Sequence, residues 1–333
     1  MSTQETKLQA IADAIKTKLG TTDAIQASQF ATKIAAIQTG VAKPRWKSTR
    51  LTSAASWRSV CYGNGMFVAV DDMNGYIISS SNCTTWTEVP QELGGLSSVC
   101  YGDSKFVAMA YGANYAIYST DGVNWTRATM PGTRNWSSVC YGDGKFVAVC
   151  SGALLPAYST DGITWTSARM PTSISWISVC YGNGKFVAVA DGSNVAAYST
   201  DGINWTQTTM PATRNWYSVC YGNGKFVAIA HGSSAAAYST DGINWTQATM
   251  PASLFWSSVC YGDGKFVAVV GNTETSATSN VVAYSADGVN WTRTTMPTSR
   301  KWTSVCYGDG KFVAVAYEVN SCAYLKDYFD SWA

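Results

Sequence analysis

Charge is scarce in this chain of 333 residues. Only 13% of its side chains are Asp, Glu, Lys or Arg, about half the usual share. The 23 basic groups against 21 acidic ones leave a net charge of +2, which provides no electrostatic pull toward nucleic acid or an anionic membrane. No apolar run approaches the ~20 residues of a membrane span, so no membrane insertion is expected. The N-terminal MSTQETKLQA is polar and lacks the apolar centre of a secretory signal, which places folding in a cytoplasm. There is one histidine, His231, and no CxxC pair, so zinc and Ser-His-Asp or Cys-His devices are poorly supported, and neither metal nor cofactor is expected. Glutamate is limited to Glu5, Glu88, Glu92, Glu274 and Glu318, none in a catalytic setting.

What is abundant is repetition. The string SVCYG, preceded two residues earlier by Trp or Leu, recurs with its cysteines at 61, 100, 140, 180, 220, 260 and 306, at steps of 39, 40, 40, 40, 40 and 46 residues. In the fourth copy, Trp176 to Tyr181 reads as a strand, and Gly182-Asn183-Gly184 as a tight hairpin turn. Lys185 to Ala190 is a second strand, and Ala196 to Ser199 a third, ending in Thr200-Asp201-Gly202. Trp205 to Met210 is a fourth, stopped by Pro211. Four antiparallel strands per ~40 residues match a propeller blade. The sequence predicts an all-β, seven-bladed β-propeller over residues 44–333.

The last unit, from Trp302, lacks a fourth strand, and a spare one precedes the first unit. Trp46 lies 11 residues before Trp57, as Trp205 lies 11 before Trp216. Residues 46–52 are therefore expected to complete the last blade. The seven repeat cysteines read as small buried residues of the first strand, too far apart for disulfides. The regularly placed Trp residues read as packing between blades.

The turn Ser-Thr-Asp-Gly-x-x-Trp begins at Ser119, Ser159, Ser199 and Ser239, with Ser285-Ala286-Asp287-Gly288 as a near copy. It resembles the Asp-box of sialidase-like propellers, shortened by one residue, and Ser79 to Trp86 and Lys326 to Trp332 are degenerate versions. That resemblance implies three arginines on a substrate carboxylate, a tyrosine nucleophile with a glutamate, and an acid/base Asp. Here Arg134, Arg214 and Arg300 recur at equivalent inter-blade positions, as repeat decoration rather than a converging clamp. Asp121, Asp161, Asp201, Asp241 and Asp287 belong to equivalent turns and read as turn stabilisers. No catalytic residue is assigned, and the chain is not expected to be an enzyme.

Residues 1–43 read as a separate segment of two short helices. Leu8, Ile11, Ile15 and Leu19 form one apolar stripe ended by Gly20, and Phe30, Ile34 and Ile37 lie on a second helix over residues 27–38. This stretch resembles a short module near the ends of bacteriophage tail-fibre and baseplate proteins. The resemblance implies attachment to other tail proteins, or homo-oligomerisation, through residues 1–43, and a place in the virion tail.

The first-to-second and third-to-fourth strand turns are nearly uniform and read as scaffold. The second-to-third strand loops and inter-blade loops vary and share the opposite face, which reads as a recognition surface. The candidate ligand-binding residues there are Asp72, Asn74, Tyr76, Tyr111, Asn114, Tyr115, Asp191, Asn194, Arg214, His231, Arg300, Tyr317 and Glu318, with Asp71, Phe255 and Lys301 beside them. The longest insertion runs from Asn272 to Asn280. Rings beside amides and carboxylates suit sugars, so the expected partner is a host-surface glycan or protein. The alternatives are a structural tail adaptor without a host ligand and a glycoside hydrolase of sialidase-like fold.

Overall fold

A computed structural model describes residues 46–89, 93–271 and 276–326. The helices expected in residues 1–43 and the degenerate turn at the C-terminus lie outside the described residues, as do residues 272–275 of the long insertion. The described residues form a β-propeller with no helix among them.

Each repeat folds as its turn chemistry dictates. In the fourth, Trp176–Gly182 pairs antiparallel with Lys185–Ala190, which pairs with Ser193–Ser199, which pairs with the start of Thr206–Gly222. Asn183 and Gly184 both have positive φ, at 46° and 71°. That is the backbone of a two-residue hairpin turn matched to the right-handed twist of its strands, and Asn and Gly tolerate it best. The second strand is buried along Phe186 to Ala190 because both faces of a blade are covered by its neighbours.

Pro211 does not stop the fourth strand, as expected from sequence. Thr206–Gly222 is continuous through Pro211 into the first strand of the next repeat. The register with the third strand shifts between Ser193↔Arg214 and Val195↔Thr209, so the chain bulges out at Pro211 on the outer edge of the blade, where a missing N–H breaks no ladder bond. The third strand accordingly begins at Ser193 rather than Ala196.

Neighbouring repeats are joined by one recurring hydrogen bond near the centre. Val99 N donates to Ser59 Oγ, Val139 N to Ser98, Val179 N to Ser138, Val219 N to Ser178, Val259 N to Ser218, and Val305 N to Ser258. The series returns on itself, since Val60 N donates to Ser304 Oγ at 3.2 Å. The first and last repeats are thus neighbours, and the last sheet takes its outermost strand from near the start of the chain. Lys47–Ala55 pairs antiparallel with Val319–Lys326, with Lys47 opposite Tyr324.

The core lies between the repeats. Trp216, fully buried, packs with Val187, Val189 and Met210 of the fourth repeat and Phe226 and Ala228 of the fifth. A close approach fixes the spacing. A Cβ on Gly182 would lie 2.0 Å from the Tyr221 ring, so only glycine fits there. The ten cysteines are free; the seven repeat cysteines are half-buried rather than fully buried, and Cys83, Cys150 and Cys322 are buried. Burial pushes the repeat thiols up, so they stay protonated packing groups.

Candidate ligand-binding site

The first strand of every repeat carries a bulge directly after its Trp or Leu, between Trp57 and Ser59, Leu96 and Ser98, Trp136 and Ser138, and so on to Trp302 and Ser304. The extra residue is Arg58, Ser97, Ser137, Ile177, Tyr217, Ser257 or Thr303. A bulge re-aims its side chain, here toward the centre of the varied face. In four repeats the residue is a hydroxyl that clasps two carbonyls. Ser97 donates to Met109 O and to Trp136 O of the next repeat, and Ser137, Ser257 and Thr303 do the same at their positions.

Arg58, Ile177 and Tyr217 break that rule, and two of them meet. Arg58 Nη2 donates to Tyr217 OH at 2.8 Å, with the guanidinium carbon 5.7 Å from the Tyr217 ring centre. These residues belong to the first and fifth repeats, which are not neighbours, so the bond spans the centre of the ring. Burial works against the Arg58 charge, but Tyr217, Asp72 and Tyr317 outweigh it and hold its pKa above the ordinary value.

Rings extend from this bridge on one side. Tyr217 stacks on His231 at 4.8 Å and 26°, and His231 meets Phe255 at 5.0 Å. Phe255 is 36% exposed, unusual for so large an apolar group. On the other side stand Asp72, Met73, Lys301, Tyr317 and Glu318. Lys301 Nζ pairs with Glu318 at 3.1 Å and lies 5.4 Å from the Tyr317 ring centre, and Tyr317 OH donates to Met73 Sδ at 3.6 Å.

Asp71 and Asp72 divide their work. Asp71 is fully buried, and its carboxylate accepts from Ser56 N, Met73 N and Asn74 N, fixing the loop that follows. Asp72 is held only by its backbone, through N–H to Ser56 O. Its Oδ1 is buried without a partner among the described residues. Burial pushes its carboxyl up to about 6; Asp71 and Glu318 add to that, and Arg58 opposes it.

The structure thus brings Asp72, His231, Tyr317 and Glu318 together, of the residues proposed from sequence. Asn74 is exposed on the same loop, whereas Tyr76 packs against the core between the first and last repeats. Tyr115 is engaged elsewhere. Its OH accepts from Gly94 N at 3.0 Å, and Arg127 lies 4.5 Å over its ring. Tyr111, Asn114, Asp191, Asn194 and Arg214 are exposed; Tyr111 and Asp191 hold in their repeats the position of Asp72 and Tyr317, each N–H donating to the carbonyl of the residue before the first strand, and Arg300 donates to Ser321 Oγ and Ser299 O. Sequence reasoning missed Arg58 and Tyr217. The signal was present as the most variable position inside an otherwise nearly uniform string.

The opposite turns are self-contained. Ser199 Oγ accepts from Gly202 N, and Asp201 Oδ1 accepts from Ile203 N and Asn204 N. Burial opposes the Asp201 charge, but these bonds hold its carboxyl well below the usual range. The equivalent Asp residues make the same turn bonds, as a scaffold role requires. Among the described residues no group of three His, Cys, Asp or Glu could hold a metal ion.

Residues 88–207 match the DUF6242 beta propeller domain. No curated protein is similar to the chain in sequence. Among solved structures, virginiamycin B lyase from Staphylococcus aureus is similar at a TM-score of 0.76 and 11% identity, over 86% of this chain and 100% of that one. The complex described as YCF48 bound to D1 peptide is similar at 0.68 and 12% identity, over 86% and 97%. At such identities the likeness lies in the fold alone, and that fold is a β-propeller.

Proposed function

We propose that the chain is a seven-bladed β-propeller that binds a ligand at the centre of its varied face, and that it serves as a receptor-binding protein of a phage tail, contacting a host-surface glycan or protein. The observation that carries the binding reading is the departure from repeat symmetry at the bulge. Four repeats use that position to fasten blades together, whereas Arg58 and Tyr217 abandon the clasp and meet among the half-buried rings of His231 and Tyr317 and the exposed ring of Phe255. Giving up inter-repeat bonds there is the pattern of a site that trades stability for function. Attachment through residues 1–43, to tail proteins or to further copies of the chain, rests on the resemblance of that segment to phage tail modules. Several copies on one particle would raise weak individual contacts to useful avidity. The test is binding of the full chain to immobilised glycans and to host envelope fractions. Retention that is lost in Phe255→Ala supports the reading, and no retention by either surface removes it.

Catalysis is the second reading, and Asp72 is the observation in its favour. A carboxyl raised to about 6 beside a histidine-bearing cleft has the acidity of a general acid. Sugar released from envelope preparations by the wild type, and not by Asp72→Asn, would establish it.

A further inference from the structure

The mouth holds a donor and an acceptor that feel each other's charge without forming an ion pair. The Arg58 guanidinium carries five N–H donors and spends one on Tyr217; the others have no partner among the described residues. Asp72 Oδ1 is buried without a partner, yet each group feels the charge of the other. The ion pairs among the described residues are Lys105–Asp103, Lys145–Asp143, Lys301–Glu318 and Lys311–Asp309, and Arg58 is in none of them.

Something must keep these groups apart, and the structure shows what does. Tyr217 OH holds Arg58 toward the fifth repeat. Asp72 is anchored by its own N–H on Ser56 O, and the loop around it by the Asp71 carboxylate. The two groups are therefore held by separate anchors before any ligand arrives.

The pairing also selects. A carboxylate or phosphate would satisfy Arg58 but stand against Asp72 and Glu318. An ammonium group would satisfy Asp72 but stand against Arg58 and Lys301. A hydroxyl donates to one and accepts from the other through a single oxygen, at no electrostatic penalty. A trans peptide unit offers the same two functions on opposite sides of its plane, and so fits a facing pair less well. Beside the gap, the rings of Tyr217, His231 and Phe255 provide an apolar wall, the usual complement to a few placed polar groups in a small-molecule site.

We propose that the mouth takes a neutral, hydroxyl-rich sugar, one ring bridging Asp72 and Arg58 and its continuation lying along Phe255. This rests on the binding reading above and sharpens it. It excludes sialylated, uronic and amino sugars as the preferred ligands, and it places recognition at the centre of the face rather than at Arg214, which lies opposite Ser193 on the outer strands.

The test uses the full chain on an array of neutral, carboxylated and amino-bearing oligosaccharides, followed by titration calorimetry on the best binder. Neutral glycans should be retained. Asp72→Ala and Phe255→Ala should each weaken them at least tenfold, with unchanged melting curves for Phe255→Ala because that side chain is partly in solvent. Arg214→Ala should leave affinity within twofold. Preference for carboxylated or amino glycans overturns the proposal. So does loss of neutral-glycan binding in Arg214→Ala alone, although that result leaves a glycan-binding propeller standing. Retention on host envelope that survives removal of its glycans also overturns it, in favour of a protein receptor. Absence of binding to every glycan and envelope fraction removes the underlying reading as well.

Discussion

Asp72→Asn separates the energetics of the mouth from its function. The carboxyl of Asp72 is raised from 3.8 to about 6, chiefly by burial. In the folded protein the ionised form is thus penalised relative to the unfolded chain. Two pH units correspond to roughly 3 kcal/mol at full strength. Asp72 is open in part to solvent, which screens it, so about 1–1.5 kcal/mol is the expectation at neutral pH. The sign follows from proton binding. Between about pH 6 and 4 the folded state holds more protons at this site than the unfolded state, so stability from this group rises as pH falls through that window. Above it the penalty is constant. Asn carries no charge and escapes the penalty at every pH. Urea unfolding of both proteins at pH 7.5 and pH 4 should show the variant more stable at pH 7.5, by about 1 kcal/mol, with the difference gone at pH 4. Other carboxylates titrate alike in both proteins and cancel in the difference. A variant that is less stable at pH 7.5, or a difference that ignores pH, would refute the assignment of Asp72 as a carboxylate whose burial outweighs the pull of Arg58.

Gly182→Ala should destabilise the ring by at least 2 kcal/mol in chemical unfolding, because its Cβ would collide with the Tyr221 ring. Asp201→Ala removes the acceptor for Ile203 N and Asn204 N on the opposite face, and should lower stability by about 1 kcal/mol while leaving ligand affinity unchanged in calorimetry. Removing residues 1–43 should leave a folded ring and abolish attachment to the particle, read by circular dichroism and by assembly. Removing residues 1–55 takes away the strand paired with Val319–Lys326 and should give a protein that aggregates in size-exclusion chromatography, since the bared edge can pair with other chains.

Most of the fold was legible because its determinants are local and repeated. The Asn-Gly turns and the 40-residue period specify strands and hairpins in each copy independently, and the spacing of Trp46 to Trp57 marked the strand that joins the last sheet. The path through Pro211 was not legible. A proline ends a central strand but not an outer one, and the position of a strand in its sheet is settled only by packing. Loop variation marks the face on which the proposed site lies, but it does not single out Arg58 and Tyr217. Arg58 and Tyr217 are far apart in sequence and lie within a string taken as uniform, and the bulge that aims them leaves no mark in composition. Tyr76 and Tyr115 have contacts within the fold that loop position does not reveal. A loop tyrosine can turn inward or onto a neighbouring arginine, and both did.

The central claim is that Tyr217 holds Arg58 away from Asp72 and so keeps the mouth open. Tyr217→Phe removes one oxygen atom and retains the stacked ring. The affinity of this variant for the glycan that the wild type binds best, measured by calorimetry, tests the claim directly. The account predicts that Arg58 falls onto Asp72 and that affinity drops at least tenfold with no loss of thermal stability. Affinity equal to that of the wild type would contradict it.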